Sequence, residues 1–474
     1  MLSGWKNPKP VDPDQKPRRY TMALVKVLYR RSGFNALPMI ALGFLTLILL
    51  GSVLLTLPVA SATGQRIPWF DALFTSTSAV CVTGLVVRDT GTAYSTFGHV
   101  VLMLLIESGG LGFMTFATLL FRLLGRGFTM RDRMIMQESL NQDDLGGVVN
   151  LVLWVARSAF VVQFAGAVLF SIRLVPIYGM AKGLFFSAFH AISAFCNAGF
   201  DLFGGGASLT GFSGDLLINL TAIALVVSGG IGFGTVHDIL NKRRFDRLRL
   251  NTKLVLVTYG SLLAAGFLIV LAFEWDNPAT LGPLNVGQKL LAALFQSVTL
   301  RTAGFNTIDQ AALRDSTKLV GGLMMLVGCA PASTGGGIKV TTFALIVLTV
   351  RMVAQGESSI VVFRRRIDRT MIQRAVSIAF IAMAVAFVDV CILSLIQPEC
   401  AFLDLYYECV SAVGTVGISA IGTANLRPLG RLLIIITMYI GRIGPLTMAL
   451  LFMKREKHTR ELDRKSTRLN SSHL

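Results

Sequence analysis

Four short segments of this 474-residue chain carry a glycine at matching positions. They are SAVCVTGLVV (78–87), AFCNAGFDLF (194–203), TLRTAGFNTI (299–308) and AVGTVGISAI (412–421), centred on Gly84, Gly199, Gly304 and Gly417. No ring of carboxylates marks them, which argues against a divalent-cation filter. What they offer is backbone. Peptide carbonyls replace the water shell of a permeating cation, and glycine reaches conformations closed to other residues, so that neighbouring carbonyls can turn to a common axis. The inferred cation ligands are the carbonyls of four quartets. These are Cys81, Val82, Thr83 and Gly84; Cys196, Asn197, Ala198 and Gly199; Arg301, Thr302, Ala303 and Gly304; and Gly414, Thr415, Val416 and Gly417.

The elements that must position these loops are apolar. Hydrophobic residues make up 53% of the chain and charged residues 15%, against about 45–50% and about 25% in soluble domains. The strong apolar spans are 36–60, 97–121, 147–172, 214–238, 253–274, 318–350, 375–397 and 430–453. Within each successive pair lies a shorter apolar stretch, at 68–80, 182–195, 287–300 or 402–412. Such lengths fall short of a bilayer and read as re-entrant half-spans. Second spans share a further mark: GGLGF (109–113), GGIGF (229–233), GGGIK (335–339) and GRIGP (441–445). Two features recurring in one order indicate an internal fourfold repeat.

The fold class is therefore all-α and polytopic: four M1–pore helix–M2 repeats in pseudo-fourfold arrangement around one ion pore. The expected units are a tail (1–35), repeats at 36–133, 134–250, 251–370 and 371–453, and a second tail (454–474). The net charge of +18 does not imply nucleic acid, because 31 of the 44 Lys and Arg fall in the tails and inter-repeat loops. The positive-inside rule assigns that side, and both termini, to the cytoplasm. Half-helices whose C-terminal ends face the pore centre would add a favourable dipole for a cation. The N-terminal segment lacks the short apolar core of a signal peptide. Six cysteines show no CxxC pair or metal-ligand spacing, so no disulfide framework is implied.

One second span, 320–343, is broken by Gly328-Cys329-Ala330-Pro331 and Ser333-Thr334-Gly335-Gly336-Gly337. Gly and Pro cannot sustain helical hydrogen bonding there, so the chain is expected to unwind in mid-membrane. The small and hydroxyl residues suit a flexible plug over 328–338. STGGGIK lacks the GK[ST] ending of a phosphate loop. Lys339 ends this segment as a loop anchor or an interface lysine. Arg442 is a charge inside an apolar span and must meet a partner or water. Glu107 and Asp389 are expected to pair with Lys or Arg, Arg157 being one candidate. Glu408 and His190 are expected to tie half-helices to their surroundings, and Arg301 to brace its loop from behind.

VTGL, CNAGF, LRTAGF and GTVGIS, each after a half-span, resemble the four filter signatures of the Ktr/Trk/HKT potassium uptake superfamily. The resemblance covers about 36–453 and is greatest to KtrB-type rather than TrkH-type membrane subunits, given GRIGP and the start at repeat one. It implies downhill K+ uptake through a four-repeat pore in the bacterial plasma (inner) membrane, with no covalent cofactor. It also implies a homodimer, a surrounding of membrane lipid, and a cytosolic RCK-type (KtrA-like) regulatory ring that binds ATP, ADP or NAD. Na+ is an implied activator. In the family, the 328–338 position is the intramembrane gate, comprising here Pro331, Ser333, Thr334, Gly335, Gly336, Gly337 and Lys339. Arg442 matches the arginine that projects beneath the filter.

Two rivals stand beside this reading: a secondary transporter coupling Na+ or H+ to a solute, and a membrane-embedded enzyme. The first calls for inverted repeats, whereas these run in one direction. The second calls for a cluster of catalytic side chains, and five scattered histidines provide none. The last residues, RKSTRLNSSHL, match nothing in the repeats and are expected to be a translated adapter rather than native sequence.

Overall fold

A computed structural model describes residues 36–112, 115–116, 118, 129–139, 147–357, 359–363, 365–444 and 447–448. Both expected tails, including the C-terminal RKSTRLNSSHL, lie outside the described residues. The chain begins with the long helix α1 (Ala36–Thr56), the short α2 (Trp69–Cys81), the Gly84 loop and α3 (Thr96–Gly110). Next, α4 (Met130–Ser139) packs on α1. A second series follows: α5 (Val148–Tyr178), α6 (Met180–Phe195), α7 (Leu216–Gly230) and α8 (Phe233–Lys242). The third comprises α9 (Leu250–Glu274), α10 (Val286–Thr299), α11 (Asp315–Leu326) and α12 (Val340–Ala354). A two-stranded antiparallel hairpin of β1 (Val361–Val362) and β2 (Arg365–Arg366) precedes α13 (Arg369–Ile396), α14 (Phe402–Gly414) and α15 (Pro428–Ile443). The expected junctions after 133, 250 and 370 fall inside α4 and the first turns of α9 and α13.

Length and burial separate two kinds of apolar helix. α1, α5, α9 and α13 are long enough to cross a bilayer, yet only 22–39% of their most apolar windows is buried in the protein. Their remaining apolar faces, such as Phe160, Phe164, Phe380 and Phe387, are exposed and suit contact with lipid. The short helices α2, α6, α10 and α14 have 13, 16, 14 and 13 residues. At 1.5 Å per residue these cannot cross a hydrocarbon core about 30 Å thick. Their C-terminal halves are almost entirely buried, with Ala188, Ile192 and Leu294 partly exposed.

The second spans depart from expectation. Instead of continuous helices over 97–121, 214–238 and 430–453, α3 stops at Gly110, α7 meets α8 at a 93° bend, and α15 stops at Ile443. Each break sits on the fourth residue of the recurring mark: Gly112, Gly232 and Gly444 have φ of +85°, +89° and +100°. A side chain there would cost about 1–2 kcal/mol in backbone strain. Hydropathy reports only that a segment is apolar, so it cannot register a reversal of handedness. In the interrupted 318–350 span positive φ falls on Ala332 and on Gly337.

The first glycine of the mark has a separate task. An ideal β-carbon on Gly109, Gly229 or Gly441 would run into the carbonyl oxygen of Val80, Phe195 or Val413, near the end of the adjoining short helix. Close helix approach at these points requires the missing side chain. Gly229→Ala is therefore expected to destabilise the protein by about 1–3 kcal/mol, seen as a lower unfolding midpoint in detergent. Gly260→Ala, in α9 with open space around it, should leave the midpoint unchanged or raise it.

Candidate ion pathway

The four glycine loops begin the same way. Each short helix ends, and within three residues the chain adopts a left-handed conformation at a non-glycine residue: Val82, Asn197, Thr302 or Thr415, with φ between 53° and 65°. Two residues on, Gly84, Gly199, Gly304 and Gly417 are again at positive φ, from 70° to 98°. This repeated reversal costs energy and is held by specific bonds. Ser78 and Ser411 Oγ accept from the N–H of Gly84 and Gly417, each at 3.0 Å. Ser193 Oγ donates to Phe200 O at 2.8 Å, and Thr299 Oγ1 to Phe305 O at 2.5 Å.

The structure brings the four loops together. A β-carbon on Gly84 would lie 2.6 Å from Ala198 O, one on Gly199 would lie 3.0 Å from Ala303 O, and one on Gly304 would lie 3.1 Å from Val416 O. On Gly417 it would overlap Thr83 O. Each glycine is thus met by the carbonyl preceding the next loop's glycine, and the cycle closes. The Arg301 carbonyl, expected among the ligands, accepts from Cys329 Sγ at 3.2 Å and so is not free. Among the described residues, no group donates a hydrogen bond to the carbonyls of 82–84, 197–199, 302–304 or 415–417. The Thr83 hydroxyl is likewise buried without a partner. Buried carbonyls are ordinarily paired, so a cluster of unpartnered ones is a site for a positive charge. The negative C-terminal ends of α2, α6, α10 and α14 lead into it.

Directly against the ring packs the irregular segment 327–339. Gly328 N–H donates to Ile338 O at 2.9 Å and Ile338 N–H to Leu326 O at 3.0 Å, pinching the segment into a loop. Its polar atoms meet the side chains of the left-handed residues. Gly336 N–H donates to Thr415 Oγ1 at 3.1 Å, Cys329 Sγ lies 3.1 Å from Thr302 Oγ1, and the Asn197 amide lies within 3.3 Å of Thr302 and Thr334. The Ser333 hydroxyl bonds Ala330 O, and Pro331 O lies against Gly232. Lys339 Nζ donates to Gly335 O at 2.7 Å. The Arg442 guanidinium reaches across from α15 to the carbonyls of Thr334 and Gly109. It occupies the second position of GRIGP, where GGLGF and GGIGF have Gly110 and Gly230.

Residues 40–461 match the family described as TrkH, cation transport protein. The chain belongs to this family. It is 43% identical over 424 residues to the Ktr system potassium uptake protein B of Bacillus subtilis, covering 90% of this chain and 94% of that one. It is 36% identical to the potassium/sodium uptake protein NtpJ of Enterococcus hirae, over 88% and 93% of the two chains. The fold resembles the crystal structure of the potassium transporter TrkH from Vibrio parahaemolyticus, with a TM-score of 0.65 and 19% identity over 87% of this chain and 84% of that one.

In this TrkH-family chain, several buried polar groups find partners other than those expected. Glu107 meets no Lys or Arg among the described residues: its Oε2 accepts from Gln163 Nε2 at 2.8 Å and from the Cys196 thiol at 3.3 Å. Asp389 accepts from the Thr437 hydroxyl at 2.7 Å, and Arg157 pairs with neither acid. Neutral donors meet one oxygen of each carboxylate, while Glu107 Oε1 is buried without a hydrogen-bond partner, and residue spacing reveals neither arrangement. Glu408 accepts from Ser419 and Thr423, and His190 holds Phe186 O and Leu202 N–H, tying two short helices to the loops beyond the ring. The tethering hydroxyls Ser78, Ser193, Thr299 and Ser411 were missed. Their signal is a Ser or Thr five or six residues before each ring glycine.

Arg301 is fully buried and turns its side chain away from the ring. Nη1 and Nη2 donate to Val327 O and Met324 O, both at 2.5 Å, capping the last turn of α11. Arg301→Met leaves both carbonyls without these donors. The expected cost is about 2–4 kcal/mol, read as a lower unfolding midpoint with increased maleimide labelling of Cys329 by peptide mass spectrometry.

Proposed function

We propose that this chain is the K+-translocating membrane subunit of a Ktr/Trk-type uptake system. The observation that carries the reading is the closed ring of four glycine loops with unpartnered carbonyls. Four span–half-span–loop–span units around one axis make this ring the selectivity filter. A cation sheds water there against carbonyl oxygens, which suit a weakly hydrated monovalent ion. The names of the Bacillus and Enterococcus relatives support potassium as the ion. No ATPase motif occurs in the sequence, so uptake runs downhill on the membrane potential, worth about 2.3 kcal/mol per charge per 100 mV.

The 328–338 loop is the gate. Its glycines press on the hydroxyls of Thr302 and Thr415, and Arg442 and Lys339 hold it through backbone carbonyls. The fixed positive charge of Arg442 adds a barrier to cations below the ring. The basic inter-repeat loops support a multi-pass chain in the bacterial plasma membrane with both termini cytoplasmic. Kinship with Ktr subunits supports a homodimer regulated by a cytosolic RCK-type ring that binds ATP, ADP or NAD, with Na+ as activator. The chain transports without covalent chemistry.

The test is growth and Rb+ uptake at micromolar K+ in a bacterium stripped of its K+ uptake systems, with and without an RCK partner. Rescue by the intact chain, lost in Gly199→Arg, supports the reading. Failure under both conditions with confirmed membrane insertion refutes it. Gly304→Ser is expected to lower the Rb+ to Na+ flux ratio about tenfold or more, because the filter separates these ions through carbonyl geometry; an unchanged ratio counts against the filter assignment. Deleting 331–336 should raise Rb+ flux, and unaltered flux in a folded protein would rule out a gate at this loop.

A further inference from the structure

α7 and α8 meet in a 93° elbow. The elbow holds the gating loop through three backbone hydrogen bonds, with Val227 and Ile231 packed on the cluster that includes Ala330. Ala330 N–H donates to Gly230 O at 3.0 Å, Thr334 N–H to Gly229 O at 3.3 Å, and Phe233 N–H to Ala332 O at 2.9 Å. Both arms also line an open groove of about 370 Å3, formed by Ile223, Val227 and Ile231 of the α7 side and Val236, Ile239 and Leu240 of α8. Its one hydroxyl, on Ser228, is already bonded to Leu225 O. The volume is that of an ordinary ligand pocket, about 300–1,000 Å3, but its lining suits only hydrocarbon.

Charge identifies the occupant. Two residues beyond Leu240, α8 ends at Lys242, and Arg243, Arg244, Arg247 and Arg249 follow it. Asp238 pairs with Lys242 at 2.9 Å and lies 3.9 Å from Arg249. Arg243, Arg244 and Arg247 are exposed and pair with no acid among the described residues. A hydrocarbon groove that opens beside uncompensated arginines fits a molecule with an acyl chain and a phosphate headgroup.

We propose that an anionic phospholipid docks in this elbow, its acyl chain in the groove and its phosphate at Arg243 and Arg244, and stabilises the clasped gating loop. A ligand that binds the bent elbow favours the form in which residues 330–334 are held, so its removal frees the gate. The link to flux rests on the transport reading; the lipid site does not.

The full chain, purified from membranes, is therefore examined by native mass spectrometry with phosphatidylglycerol or phosphatidylcholine, and by Rb+ flux into liposomes with and without phosphatidylglycerol. Retained phosphatidylglycerol, weakened about tenfold or more in the double variant Arg243→Gln/Arg244→Gln and reduced when Ala224→Trp fills the groove, supports the site. Equal retention of both lipids, or undiminished phosphatidylglycerol in both variants, overturns it. Disruption of a dimer by Ala224→Trp with lipid retention unchanged also overturns it, in favour of a second copy as occupant. Flux is expected to rise several-fold without phosphatidylglycerol, and that dependence to vanish in the variants. Retained lipid with lipid-independent flux overturns the coupling, whereas retained lipid with no Rb+ flux in any liposome upholds the site and overturns the transport reading instead.

Discussion

At bilayer depth a peptide N–H or C=O has no water to turn to, so each one that leaves a helix must find a partner in the chain or face an ion. Most of this architecture answers that constraint. Where α11 ends, Arg301 caps its carbonyls. Where the 327–339 segment runs irregularly, its backbone bonds to itself, to Gly229 and Gly230, and to Thr415. The carbonyls of 82–84, 197–199, 302–304 and 415–417 differ, because the chain supplies them no donor among the described residues. Their unsatisfied polarity is the feature a dehydrated cation can exploit.

That concentration of unpaired carbonyls needs support, and the support is layered. Hydroxyls on Ser78, Ser193, Thr299 and Ser411 fix the local turns. Glycines on the third helix of three series let those helices press against the short helices. Glu408 and His190 tie two short helices to the loops beyond the ring. The first two layers act through backbone or small side chains. Loops so closely packed leave no space even for a β-carbon at the ring.

The irregular 327–339 segment is held differently. Its contacts are backbone hydrogen bonds, hydroxyls, a thiol and two cationic side chains, with little apolar burial in 331–337. Such contacts are individually worth about 0.5–1.5 kcal/mol, few enough to be exchanged without unfolding the helices around them. Arg442 joins the loop to both α15 and the end of α3, so motion in either helix reaches it. The α7–α8 elbow adds a third attachment, and both of its arms line an apolar groove.

Much of this was legible in the sequence. Bilayer-length apolar runs, shorter runs between them, and two glycine marks in constant order follow from composition and spacing, because membrane insertion depends on apolar length and positive φ depends on glycine. The broken 320–343 span was visible for the same reason, since Pro331 and three successive glycines cannot remain helical. The breaks at Gly112, Gly232 and Gly444 were not, because a single glycine in an apolar run is compatible with helix or with reversal, and only neighbouring contacts choose. Nor could sequence assign Glu107 to Gln163 and Cys196, or Asp389 to Thr437, residues that lie between 48 and 89 positions away. The closure of four loops into one ring is likewise a matter of tertiary structure. It depends on which carbonyl approaches which glycine, a geometry that no single loop contains.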